Sequence, residues 1–167
     1  MRFAGPFGAG VELGALLTGL PKDSVIAPIL TQGVPVALGI ETVIGAREFS
    51  PIRILRTEEG VNVLGCDQEI RLEDRLVIVV DHGVETGTTA KACGMWLREQ
   101  GVTRVMLAVP VCPKTAANAL QFLFESIVSL VAPLGPQSLS WHFESLDVMD
   151  IDTAMAMLST RDEKLDQ

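Results

Sequence analysis

Continuous apolar runs alternate with helical spacings along much of this chain. The clearest run, Leu-Val-Ile-Val-Val at 76–80, is mostly β-branched, as is typical of a strand buried on both faces. Apolar positions at helical spacing follow such runs at short distances, which predicts strands joined by helices. We therefore expect an α/β fold with a doubly wound, mainly parallel sheet flanked by helices. The predicted strands are 24–30, 51–55, 76–80, 104–111 and 126–131, and the predicted helices are 34–45, 90–97 and 114–124.

The two ends of the chain differ from this alternating pattern. Residues 1–20 are Gly-rich and apolar, but they carry a single basic residue, and the acid Glu12 also argues against a signal peptide. Spaced leucines there predict a short helix that is ended by Pro21. We expect 132–158 to form a small C-terminal hood and 161–167 to be a charged, frayed tail. With no repeat or linker, the 167 residues are predicted to form one domain.

Composition narrows the classes of partner. The chain is 48% apolar and 20% charged. Its formal net charge of −8 argues against a nucleic-acid surface, because phosphates need clustered Lys and Arg. No apolar run reaches the roughly 18 residues of a membrane span. Cys66, Cys93 and Cys112 match neither a disulfide framework nor a zinc site, so we expect reduced thiols and a cytoplasmic location.

A polar turn after the strand at 76–80 carries the candidate chemistry. The strand ends at Asp81, and Thr-Gly-Thr-Thr at 86–89 then opens a helical pattern. Backbone N–H groups at the start of a helix lack partners, and the helix dipole favours negative charge there. Gly87 lets the backbone approach an anion, and the threonine hydroxyls add donors. Because Asp81 can accept hydrogen bonds from sugar hydroxyls, the turn predicts a site for a phosphorylated sugar.

The same turn resembles the signature of the type I phosphoribosyltransferases, which bind phosphoribosyl pyrophosphate (PRPP). That signature is an apolar strand, two acidic residues, three variable residues and Thr-Gly-x-Thr. The chain departs from it at one fixed position, because a histidine stands where the second acid belongs. The alternative for 86–89 is a helix cap with no ligand. The resemblance implies that PRPP is bound by Asp81, His82, Gly83, Val84, Glu85, Thr86, Gly87, Thr88 and Thr89.

Other segments extend the resemblance to about 25–158. Ala-Val-Pro-Val at 108–111 and Trp-His-Phe-Glu at 141–144 match a subgroup of the family whose members mostly lack an established activity. An acidic helix at 147–158 follows them there.

In the family, the loop after the first core strand holds pyrophosphate, commonly as Pro-Arg-Gly-Gly followed by Val-Pro-Val-Ala. The chain keeps Gly33 and the following Val-Pro-Val-Ala, but Thr31 and Gln32 stand where Arg and Gly are usual. A missing Arg removes a strong charge-assisted contact to an anion. Arg56, at the end of the second predicted strand, is a candidate clamp for the pyrophosphate. The alternatives are a turn with no ligand at 31–33 and a solvated face for Arg56.

Catalytic and acceptor residues follow from the same resemblance. In purine-salvage members the acid just before Thr-Gly is proposed to act as a general base, and Glu85 occupies that position. Asp81 is the second candidate catalytic residue. Trp141 and Phe143 could stack on a flat acceptor, although aromatic residues more often belong to a core. The polar segment 57–74 falls where the family has a mobile loop over the site.

The resemblance implies a phosphoribosyltransferase of nucleotide metabolism, which transfers a 5-phosphoribosyl group from PRPP to an acceptor and releases pyrophosphate. A nucleobase is one candidate acceptor. The resemblance also implies a homodimer, and Mg²⁺ bound together with PRPP. No side chain is assigned as a metal ligand, since Asp81 would meet the ion only through ribose or water.

Two other functions stay open at this point. A non-catalytic PRPP- or nucleotide-binding regulator on the same fold is favoured by the departures at Thr31, Gln32 and His82, which weaken pyrophosphate or metal handling and spare phosphate binding. A dinucleotide-binding oxidoreductase is disfavoured, because no Gly-x-Gly-x-x-Gly turn follows either early strand.

Overall fold

A computed structural model describes residues 2–66 and 70–167. Met1, within the predicted segment 1–20, and 67–69, within the predicted loop 57–74, lie outside the described residues. In chain order the elements are α1 (Pro6–Gly14), β1 (Val25–Pro28), α2 (Gly33–Ile44), β2 (Glu48–Phe49), β3 (Ile52–Thr57), β4 (Gly60–Cys66), β5 (Leu76–Val80), α3 (Thr88–Glu99), β6 (Arg104–Val111), α4 (Lys114–Leu120), β7 (Ser126–Val131), a 3-10 turn (Leu139–His142) and α5 (Ile151–Leu165).

A parallel sheet forms the centre of the molecule. Five strands lie in the order β2-β1-β5-β6-β7, and every neighbouring pair is parallel. Helices connect β1 to β2, β5 to β6 and β6 to β7, because parallel neighbours need a crossover, whereas the hairpin of β3 and β4 lies between β2 and β5 in the chain. The predicted α/β fold with a mainly parallel sheet is therefore confirmed, and the strands predicted at 76–80, 104–111 and 126–131 occur at those bounds.

Side chains of the central strands alternate between two cores, one on each face of the sheet. In β5, Val77 and Val79 pack with α3 and α4, whereas Ile78 and Val80 pack with α1, α2 and α5. The five residues of Leu76–Val80 are at most 1% exposed. Burial of each such aliphatic side chain stabilises the fold by about 1.5–3 kcal/mol. This two-sided burial explains why the strand sequence is apolar throughout rather than alternating.

The loops after β1 and β5 leave the sheet at its carboxyl edge, where the order of strands changes direction. β1 continues through α2 to β2 on one side, while β5 continues through α3 to β6 on the other. The two loops touch at Gly33, where a Cβ atom would lie 2.4 Å from the carbonyl oxygen of Val80. Only glycine fits at that distance. Ligands of parallel α/β sheets bind at such a switch point, so we expect the functional site at this edge.

A hairpin beside the sheet differs from the prediction. The strand predicted at 51–55 is present as β3, but it pairs antiparallel with β4 and stands outside the five-stranded sheet. The segment expected as a loop contains β4. Ile54 and Val63 pair across the hairpin and pack against the core that α3 also covers. This burial of alternate residues holds the hairpin in place. The alternation is hard to recognise in the sequence because polar and glycine residues interrupt it.

The last helix extends into the segment 161–167, where we expected a charged, frayed tail. Helix α5 runs to Leu165 and packs Ala154 and Leu158 against the sheet. Arg161 donates to the Glu41 carboxylate on α2 at 2.6 Å, and the two side chains are only 10% and 12% exposed. This nearly buried ion pair fixes the end of α5 to α2, which local composition could not show.

Two helices end earlier in the chain than predicted. The N-terminal helix α1 ends at Gly14 rather than near Pro21, and α4 ends at Leu120 rather than at Phe124. The chain then closes a turn in which the N–H of Leu123 donates to the carbonyl of Leu120. No helix in the described parts of the chain is long and apolar enough to cross a membrane.

Candidate functional site

A cleft of about 470 Å³ lies at the carboxyl edge of the sheet. The turn after β5 forms its floor, the hairpin forms one wall, and the 3-10 turn contributes one residue from the other side. The sequence singled out the floor, Arg56 and the segment 57–74 as a loop over the site, but it did not single out Leu139 of the hood. The lining residues are Arg56, Thr57, Gly60, Val61, Asp81 to Ala90, and Leu139.

The turn after β5 is held open toward the cleft by backbone hydrogen bonding. The N–H of Val84 donates to the carbonyl of Val111 at 2.8 Å, which fixes the middle of the turn to the end of β6. Gly87 has φ 92°, a left-handed conformation that favours glycine, and α3 begins directly after it. No side chain caps this helix. The first N–H groups of α3 therefore lack intrahelical partners, and Thr88, Thr89 and Ala90 line the cleft.

Arg56 joins the hairpin to this turn. Its Nη1 donates to Thr89 Oγ1 at 2.6 Å, across a sequence separation of 33 residues. The contact brings a fixed positive charge beside the start of α3, where the helix dipole is also positive. Both features favour an anion in the cleft.

Asp81 and His82 form a close pair at the end of β5. One carboxylate oxygen, Oδ1 of Asp81, accepts from the backbone N–H of His82 and lies 2.8 Å from its ring Nδ1. Burial alone would lower the pKa of His82, but the charge of Asp81 and the hydrogen bond to it outweigh burial. Arg56 lowers this pKa further and Glu85 raises it, and the net result is a raised pKa. His82 therefore holds its proton more tightly than a free imidazole does.

Glu85 connects the turn to the C-terminal hood. Its Oε1 accepts a hydrogen bond from the backbone N–H of Leu139 at 3.1 Å. Leu139 also covers Gly83, where a Cβ atom would lie 2.5 Å from Leu139 Cδ2. The hood thus closes one end of the cleft over 83–85.

No model of a protein family matches the chain. A segment of 64 residues is 36% identical to a putative phosphoribosyl transferase of Mycobacterium tuberculosis, in strains CDC 1551 and H37Rv. The matched segment is 38% of this chain and spans only 14% of the length of the mycobacterial protein.

Solved structures match over most of the chain. TT1426 from Thermus thermophilus superposes with a TM-score of 0.77 at 20% identity and covers 95% of this chain and 98% of its own. A hypoxanthine phosphoribosyltransferase from Staphylococcus aureus gives 0.57 at 18% identity, covering 77% and 73%. An adenine phosphoribosyltransferase from Thermoanaerobacter pseudethanolicus gives 0.55 at 22% identity, covering 75% and 80%. The chain has the type I phosphoribosyltransferase fold. The resemblance stated from the sequence is confirmed at this level.

In this phosphoribosyltransferase fold, the loop after β1 contacts the hood, although the sequence predicted that it holds pyrophosphate. Thr31 Oγ1 donates to the carbonyl of Met149 at 2.7 Å, and Gln32 Nε2 donates to the carbonyl of Asp147 at 2.9 Å. The peptide bond between Leu30 and Thr31 is cis. The two side chains that replace the usual Arg and Gly therefore hold the C-terminal segment. Neither they nor Gly33 are among the residues that line the cleft.

The predicted acceptor aromatics are placed differently from each other. Phe143 is 2% exposed and packs on Phe3 with ring centroids 5.5 Å apart. A ring so enclosed cannot stack on a ligand, so we correct its predicted role: Phe143 belongs to the core. Trp141 is 68% exposed on the 3-10 turn but does not line the cleft. Its role toward an acceptor stays a prediction.

The cleft does not fit a resident magnesium ion. In the described residues, no three His, Cys, Asp or Glu side chains lie together as a metal-binding group. Mg²⁺ requires oxygen ligands, and the second acidic position of the phosphoribosyltransferase signature is here an imidazole paired with Asp81. Arg56 adds a positive charge to the same cleft. Any divalent ion would have to be held mainly by oxygens of the substrate.

Two cysteines near the site are buried and inert. Burial raises the pKa of Cys93 to about 12 and that of Cys112 to about 11. A thiol with so high a pKa does not supply a nucleophile near neutral pH. Both thiols are free, and their burial gives them a place in the core.

Proposed function

We propose that this chain is a phosphoribosyltransferase that uses PRPP to transfer a 5-phosphoribosyl group to an acceptor and releases pyrophosphate. The observation that carries this proposal is the turn at 81–89, which presents the start of α3 and a carboxylate to one cleft at the switch point of the sheet. The acceptor we favour is a planar nitrogen heterocycle such as a nucleobase.

Each part of PRPP has a counterpart in the cleft. The 5-phosphate lies at 86–89, where helix N–H groups and threonine hydroxyls are donors. The ribose hydroxyls lie against Asp81, which accepts hydrogen bonds. Arg56 lies at the wall of the cleft and contacts Thr89, so its charge stands beside the 5-phosphate position, and its role as a clamp on the pyrophosphate stays a prediction. The loop at 31–33, which the resemblance assigns to pyrophosphate, contacts the end of β5 at Gly33 and Val80 but does not line the cleft.

The reaction breaks the bond between ribose C1 and a pyrophosphate oxygen and forms a bond from C1 to the acceptor nitrogen. Pyrophosphate leaves with the bonding electron pair, and the acceptor loses a proton. Glu85 is the group that takes this proton, since its carboxylate stands at the cleft and is oriented by the N–H of Leu139. Asp81 fixes the sugar so that C1 faces the acceptor.

Three further predictions accompany this function. Family resemblance implies Mg²⁺, and because the cleft does not fit a resident ion, any Mg²⁺ that takes part in turnover would be carried by PRPP itself. The homodimer and the cytoplasmic location also stay predictions. Turnover of a nucleobase would place the protein in nucleotide metabolism.

A pyrophosphate-release assay tests the proposal. Wild-type protein is incubated with PRPP, Mg²⁺ and a panel of nucleobases, beside the variants Asp81→Asn and Asp23→Asn. Asp23 is exposed at the opposite edge of the sheet and is the matched control. We expect release with at least one base, its loss in Asp81→Asn and no change in Asp23→Asn. PRPP binding with no release for any base would favour the non-catalytic regulator, to which the departures at 31–32 and 82 also point.

A further inference from the structure

The substitution of a histidine for the second acid of the signature changes the charge of the cleft. A second carboxylate would make this end of β5 more negative and would need a cation when a phosphate binds. His82 instead offers a ring that can carry a positive charge. Its side chain is 18% exposed and lines the cleft, so it is partly enclosed and still reaches the ligand space.

The geometry around His82 leaves one ring nitrogen available. Nδ1 lies 2.8 Å from Asp81 Oδ1, and the same oxygen accepts from the backbone N–H of His82. These two contacts orient the ring and place the N–H at Nδ1 opposite a carboxylate. No hydrogen bond of Nε2 occurs with the described residues. A protonated ring therefore has one N–H donor at Nε2 for a ligand.

The charged groups around His82 come from three parts of the site. Asp81, at the end of β5, stabilises the imidazolium by charge and by hydrogen bond. Glu85, in the following turn, acts in the same direction, and Arg56, on the hairpin, acts against it. The favourable contributions prevail over both burial and Arg56. The cleft thus contains one permanent cation, Arg56, and one group that becomes cationic when it takes up a proton, His82.

We propose that this cleft binds the phosphate groups of its ligand without a divalent cation, because the His82 imidazolium and the Arg56 guanidinium supply the positive charge. The inference rests on the proposed function and deepens it. It follows from the disagreement between the cleft and a resident magnesium ion: an imidazolium repels a divalent cation where a carboxylate would attract it. Asp81 then stabilises the His82 imidazolium and orients its ring, in addition to accepting a hydrogen bond from the ligand.

Calorimetric titration of PRPP and of inorganic pyrophosphate tests this inference. Each is titrated into the full chain with a chelator or with excess Mg²⁺, between about pH 6 and pH 8.5. We expect binding in chelator that weakens as the pH rises through the pKa of His82. His82→Gln keeps a neutral N–H donor but loses the charge, and we expect about ten-fold weaker binding in chelator. His142→Gln changes the other histidine, whose Nε2 lies 3.0 Å from Gln137 Oε1, and is the matched control.

A reversal of the substitution gives a second, independent arm. His82→Asp restores the acidic pair, and we expect its PRPP binding to require Mg²⁺. Circular dichroism checks that both His82 variants are folded. The pH dependence of PRPP binding by the wild type tests the inference even if neither variant folds. Wild-type binding only with Mg²⁺, unchanged in His82→Gln, overturns the inference and leaves the proposed function intact. No binding of PRPP by the wild type under any condition overturns both.

Discussion

The carboxylate of Glu85 accepts a hydrogen bond from the backbone N–H of Leu139, so the turn that floors the cleft is joined to the C-terminal hood. The two residues are 54 positions apart in the chain. One side chain thus has two tasks in our account, to position the hood and to take a proton from the acceptor. These tasks can be separated by substitution.

Glu85→Gln keeps an oxygen that accepts from Leu139 but cannot take a proton. We expect turnover to fall by about 100-fold or more, with the free energy of unfolding changed by less than about 0.5 kcal/mol. Glu85→Ala should lose the same turnover and about 1 kcal/mol of stability, because it also removes the hydrogen bond. Steady-state kinetics and urea denaturation measure the two effects. Near wild-type turnover in Glu85→Gln would exclude the base role.

Arg56 supplies a permanent charge to the cleft through its contact with Thr89. Arg56→Ala should weaken PRPP binding by roughly 10- to 100-fold, since a charged hydrogen bond is worth about 1.5–3 kcal/mol. Arg104→Ala is the matched control, because Arg104 forms an exposed ion pair with Glu125 at the amino end of β6. Its removal should leave binding unchanged. Equal effects of the two substitutions on calorimetric titrations would contradict a specific role for Arg56.

Thr31 ties the loop after β1 to the hood through the carbonyl of Met149. Thr31→Val should therefore loosen 147–149 and cost about 0.5–1.5 kcal/mol of stability. Hydrogen exchange read by mass spectrometry measures protection in that segment. Thr42→Val is the control, since Thr42 Oγ1 donates only to Gly39 within α2. Protection at 147–149 that is the same in both variants would show that Thr31 does not hold the hood.

The raised pKa of His82 makes stability depend on pH. The pKa in the folded state lies above the ordinary 6.5, so the folded state is the one that holds the proton more tightly. This contribution is complete below about pH 6.5 and is lost as the pH rises through the folded pKa. The difference in unfolding free energy between the wild type and His82→Gln should shrink over that range. A difference that stays constant or grows with pH would contradict the charged pair with Asp81.

Much of the sheet could be predicted because its strands carry their burial in the sequence. The run at 76–80 is apolar at every position, as two covered faces require, and its bounds were predicted correctly. The turn at 86–89 could also be found, because a strand end, a glycine and hydroxyl side chains lie within a few residues. Both the strand and the turn could be located from residues that are neighbours in the sequence.

The features that could not be predicted depend on contacts between distant parts of the chain. Thr31 lies 118 residues from its acceptor at Met149, and Arg161 lies 120 residues from Glu41. Neither partner can be found from composition or spacing. Leu139 is an ordinary leucine in a polar segment, and only the fold brings it over Gly83. The burial of Phe143 against Phe3 is likewise set by a long-range strand contact.

If PRPP binds at the turn 86–89, the Thr86 hydroxyl contributes to its affinity, and calorimetric titration of PRPP into the wild type and Thr86→Val measures that contribution. Thr86→Val removes a hydroxyl at the proposed phosphate position with little change in shape. Thr103→Val, at the exposed amino edge of the sheet, is the matched control. We predict saturable binding by the wild type and by Thr103→Val and markedly weaker binding by Thr86→Val. No binding by the wild type, or equal binding by all three proteins, would contradict the binding of PRPP at the turn 86–89.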